Sequence, residues 1–72
     1  MDQATELAFR AIVQSFFASG VVNADQVRGL IGALKDAAAG AMERHDPDTA
    51  KQLIGLCKRL RIDTAVGVHE HG

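Results

Sequence analysis

The sequence predicts an all-α, three-helix domain, and three observations carry that prediction. Apolar residues recur at i, i+3, i+4 and i+7 through three successive segments. Each segment opens on a residue suited to capping a helix, namely Asp2, Asn23 and Asp46. The segments are separated near Gly20 and Pro47, residue types that end one helix or start the next. The expected helices cover 3–19, 24–44 and 47–61, with residues 1–62 forming the domain and 63–72 a flexible or extended tail.

In the first segment Phe9, Ile12, Val13, Phe16 and Phe17 mark the inward stripe. Glu6, Arg10 and Gln14 fall on the opposite side, where Glu6 and Arg10 form a favourable i,i+4 pair. Gly20 occupies the position where a left-handed residue closes a helix.

The second segment has the clearest start. Asn23 and Gln26 have the spacing of a capping box, and Val22 and Val27 that of a hydrophobic staple. From there the helix extends about 31 Å at 1.5 Å per residue. Val27, Leu30, Ile31, Leu34, Ala38, Ala41 and Met42 form its apolar stripe. Along the flank of that stripe stands a ladder of small residues, Gly29, Ala33, Ala37 and Ala41, with Gly32 and Gly40 beside it. A helical glycine costs about 1 kcal/mol relative to alanine, so such a strip calls for a reason. Close approach by a second helix supplies one, and the strip is read as an interaction surface.

The third segment begins where Pro47 disfavours helical backbone at Asp46. Asp46 then caps, Pro47 takes the first helical position, and Asp48 complements the helix dipole. Ala50, Leu53, Ile54, Cys57 and Leu60 face inward, leaving Lys51, Lys58, Arg59 and Arg61 as a basic outer face. The short link requires this helix to turn a sharp corner or fold back beside its predecessor.

Composition narrows the functional classes. Eight basic and nine acidic residues leave a net charge of −1, which is no footprint for nucleic acid. Trp and Tyr are absent, and with them the commonest anchors of binding hot spots and base stacking. No apolar run approaches the length of a membrane span, so no membrane partner is expected. Cys57 is the only cysteine, which excludes a disulfide within the chain. One thiol and no signal-like start fit a cytoplasmic protein. At 72 residues a single core supplies only about 3–5 kcal/mol, so a partner chain is a natural source of further stability.

Chemistry finds little support. No paired carboxylates, nucleophile–base set or phosphate-binding loop is present, and no enzyme activity or cofactor is expected. Cys57 lies on the inward stripe, as a small buried hydrophobe does. His69 and His71 would point the same way from an extended tail, and with Cys57 they are the weak candidates for metal ligands. Their spacing matches no established zinc pattern, so no metal site is assigned. The expectation is a small interaction module, of the adaptor, anti-activator or inhibitor type, acting as a helical homodimer that also binds another protein. The alternative is a dimeric DNA-binding regulator using Lys51, Lys58, Arg59 and Arg61. Against it, Asp46 and Asp48 occupy the helix start that a recognition helix presents to DNA.

Overall fold

In the computed structural model, which describes residues 2–65, the chain forms three α-helices: α1 (Gln3–Ala18), α2 (Ala24–Glu43) and α3 (Pro47–Thr64). The three-helix all-α expectation holds. The caps are those expected from the sequence. The Thr5 amide donates to Asp2 Oδ1 at 2.7 Å. The Gln26 amide donates to Asn23 Oδ1 at 2.8 Å, and the Asn23 amide returns a bond to Gln26 Oε1 at 2.7 Å. Asp46 accepts from both the amide and the hydroxyl of Thr49.

Two helix ends close by the same device. At the end of α1, Gly20 has φ of 82°, and the amides of Gly20 and Val21 reach the Phe17 and Phe16 carbonyls. This is the Schellman pattern. At the end of α2 the amides of His45 and Asp46 reach the Met42 and Ala41 carbonyls in the same way. Here the left-handed position is held by His45, at φ 58°, although a side chain there is disfavoured relative to glycine.

That second turn folds α3 back antiparallel along α2. The two helices share the most extensive interface of the fold. Near the turn the buried contact is made by small residues: Ala38, Ala41 and Ala50 are buried together, with Leu53 packed on them. Farther along, the core proper collects Val13, Val27, Ile31, Leu56, Cys57 and Leu60. The first helix, α1, rests mainly on α3, and its contact with α2 is the slightest of the three.

The structure corrects three expectations. The third helix continues past residue 61 to Thr64, so the boundary placed at 62 and 63 cuts through its last turn. Tertiary contacts explain the extension. The Thr64 side chain is buried and its hydroxyl donates to the Leu60 carbonyl at 2.8 Å. Asp63 accepts two bonds from the Arg10 guanidinium, each at 2.9 Å. The first helix is also rotated from its expected setting. Glu6 and Arg10 do not pair with each other on a solvated face; both turn towards α3, Glu6 accepting from Arg59 at 3.0 Å and Arg10 from its side donating to Asp63. Ile12 and Phe16, expected inside, are 53% and 47% exposed. Leu56, absent from the expected stripe, is among the most deeply buried side chains.

Two predictions follow from this packing. Leu60 is fully enclosed, so Leu60→Ala removes about 2–5 kcal/mol, comparable with the whole stability of a core this size. The variant is expected to lose most of its helical circular dichroism at 25 °C, or to retain it only at high protein concentration. The second concerns pH. The hydrogen bonds from Arg10 hold the Asp63 carboxyl below its ordinary range. A depressed folded-state value stabilises the fold above the unfolded value of about pH 4 and ceases to do so as pH falls through the folded one. Asp63→Asn should therefore lower the thermal midpoint at neutral pH and flatten its decline below about pH 4.

Candidate functional site

The small-residue ladder is the first surface to place. Its last member, Ala41, is fully buried and belongs to the alanine contact with α3. Gly29, Ala33 and Ala37 are exposed. A methyl group added at Gly29 or Gly32 would meet nothing within 4 Å among the described residues, so none of the described elements uses the close approach those glycines permit. The intrachain close packing occurs instead one stripe over, at Ala38, Ala41 and Ala50.

Beside the open strip lies an apolar face created by the slight contact between α1 and α2. Phe9 and Thr5 bound a cleft of about 200 Å³ with Leu34 and Leu56. Phe16 and Val13 bound another of about 170 Å³ with Val22, Gln26, Val27 and Leu30. None of the described residues that line either cleft is charged. The reason lies in α1, whose only charges, Glu6 and Arg10, are turned to α3. The rest of that helix presents Leu7, Ile12 and Phe16 among alanines, serine, threonine and glutamine.

The second surface is the other side of the α2–α3 hairpin. A groove of about 620 Å³ runs between the two helices, floored by Ala38, Ala39, Ala50 and Gly55, with Met42, Pro47 and Ile54 along it. Lys35, Lys51 and Lys58 stand on its rim, and none of the described residues that line it carries a carboxylate. None of the three lysines forms an ion pair among the described residues.

The basic face expected on the third helix is thereby divided. Lys51 and Lys58 border the groove. Arg59 points the other way, across Gly55 to Glu6 on α1. Arg61 is half-buried. Sequence periodicity placed all four outside the core but could not assign them to different neighbours. The groove itself was missed for the same reason, since it is made by Lys35 and Lys51, sixteen positions apart.

Cys57 is buried in the core, its Sγ 3.6 Å from the Ile31 carbonyl oxygen. Among the described residues no three His, Cys, Asp or Glu side chains come together in a way that could hold a metal ion. His69 and His71 lie outside the described residues. No described helix is long and apolar enough to cross a membrane.

A buried thiol reacts only when the core opens. Under native conditions Cys57 should react slowly with a disulfide reagent such as dithiobis-nitrobenzoate, and rapidly in denaturant. An equal rate in both would contradict the packing described. No known protein family, curated protein or solved structure matches the chain.

Proposed function

We propose that the protein is a small, non-enzymatic protein–protein interaction module that acts as a helical homodimer in the cytoplasm. The observation that carries this reading is the uncharged apolar face between α1 and α2, bordered by the open Gly29–Ala33–Ala37 strip. An apolar face of this kind gains free energy only by being covered. A two-fold pairing would cover it with its own copy, each strip meeting the other. With no bulky side chains on the strip, two α2 helices can approach more closely than the usual separation of about 8–10 Å. The extra buried area would supplement a core that is small for independent stability. A dimer of this form leaves the α2–α3 side of each protomer available to another protein, as an adaptor, anti-activator or inhibitor requires.

The DNA-binding alternative draws on Lys51, Lys58, Arg59 and Arg61 as one surface. Their division between the groove and the α1 side favours the protein-interaction reading. Neutralising a phosphate row needs adjacent, unpaired cations, and Arg59 is already paired with Glu6.

Ala33 is exposed within one protomer, so Ala33→Leu should leave the fold intact while holding two strips apart. Light scattering coupled to gel filtration is expected to give a dimer mass for the natural chain and a monomer mass for Ala33→Leu, with helical dichroism unchanged for the variant at high concentration. A natural chain that is monomeric at all concentrations would overturn the homodimer. An unchanged dimer mass for Ala33→Leu would remove the strip from the seam.

A further inference from the structure

We propose that the groove between α2 and α3 is the docking site for an acidic amphipathic helix of another protein. The inference rests on the reading of this chain as an interaction module, and it supplies the chemistry of the partner. It uses a different face from the proposed dimer seam. At 100° per residue, Lys35 and Ala39 project from roughly the opposite side of α2 to Ala33 and Ala37.

The groove combines two features that specify its occupant. Its floor is low and apolar, because Ala38, Ala39, Ala50 and Gly55 carry little or no side chain. Two helices lying antiparallel with such a floor offer a bed for a third, whose bulky residues at i, i+3 or i+4, and i+7 would fill it. Its rim is wholly basic. Lys35 stands on the α2 edge, Lys51 and Lys58 on the α3 edge two turns apart. Their methylene stems extend the apolar bed while the ammonium groups remain in water. With no carboxylate in the lining, this rim attracts Asp and Glu on the flanks of an incoming helix and repels a basic one.

A second copy of this chain does not offer that combination among its described helices. The bulky exposed residues of α1, namely Leu7, Ile12 and Phe16, have no unpaired acid beside them, since Glu6 is held by Arg59. Of the acids of α2, Asp25 is paired with Arg28, and Asp36 and Glu43 have only glycine and alanine one turn before them, at Gly32, Ala33, Ala39 and Gly40, where a bulky apolar row would be needed. The exposed Ile54 and Ile62 of α3 stand among lysine and arginine. The groove therefore fits a foreign helix.

The test uses a fluorescein-labelled peptide of about 14 residues, roughly 21 Å of helix, with leucines at i, i+3 and i+7 and glutamates on both flanks. A control peptide replaces the glutamates with lysines. Fluorescence anisotropy against the natural chain is expected to give saturable binding of the acidic peptide, with the basic peptide weaker by at least about tenfold. The double variant Lys51→Glu, Lys58→Glu changes only exposed rim positions, and its fold is checked by circular dichroism. It should weaken the acidic peptide by about tenfold and bring the basic peptide to comparable or tighter binding. Absence of binding by the acidic peptide would overturn the proposal. So would equal binding of both peptides, or an affinity that the double variant leaves unchanged. Displacement of the peptide by a short DNA duplex, with the same lysine dependence, would also overturn it in favour of nucleic acid. Repeating the titration on Ala33→Leu separates the two proposals. Ala33→Leu, expected to be monomeric, should bind the peptide as the natural chain does. Peptide binding by a natural chain that is monomeric at all concentrations would sink the homodimer alone, and a natural dimer that ignores the peptide would sink the groove alone.

Discussion

The arrangement of the whole domain depends on how α2 and α3 meet beside their shared turn. Three alanines, Ala38, Ala41 and Ala50, are buried there with no larger side chain between them except Leu53. Small residues let the helices lie close, and the left-handed turn at His45 followed by the Asp46 cap aims one back along the other. Dense packing tolerates little change in side-chain volume at such a point. Once this hairpin is set, its two sides are defined. The core of Val27, Ile31, Leu56, Cys57 and Leu60 forms along it, and the opposite side is left as the lysine-rimmed groove.

The placement of α1 follows from electrostatics as much as from apolar burial. Arg10 makes a two-pronged contact with Asp63, the two side chains being only 26% and 13% exposed. Partial burial shields this pair from solvent screening, and the forked geometry fixes the helix in rotation and register. Glu6 and Arg59, one turn nearer the start of each helix, repeat the attachment with the charges exchanged. The same 53-residue separation recurs in both pairs, as it must when α1 and α3 run parallel. Holding its two charges against α3 leaves the remaining surface of α1 uncharged, and it tilts Ile12 and Phe16 away from the core.

The consequence is a domain with two unlike surfaces on either side of α2. One is apolar, uncharged and bordered by nearly bare helix backbone. The other is an apolar channel with cations at its edge. In the function proposed for this chain, the first is covered by a second copy and the second selects its partner by charge. Cys57, the one thiol of the sequence, is part of the core between them and is buried.

Helix number, order, caps and turns were legible in the sequence because each depends on residues within a few positions of one another. Asp2, Asn23 and Asp46 bond to amides three residues on, and Gly20 closes its own turn. The inward stripe of α2 was legible too, except that Met42, expected on it, is exposed; a period of 3.6 residues marks a face without naming what covers it. What only the tertiary structure decided was which face met which neighbour. Gly29, Ala33 and Ala37 stayed open while Ala41, at the end of the same ladder, joined Ala38 in the close contact with α3, although all are small residues. Glu6 and Arg10 satisfied each other on paper and were drawn instead to Arg59 and Asp63, which also carried α3 past its expected end. Local hydrogen bonds are written in adjacent residues; the rotation of one helix against another is set by competing contacts among residues far apart in the chain, and only the folded packing resolves that competition.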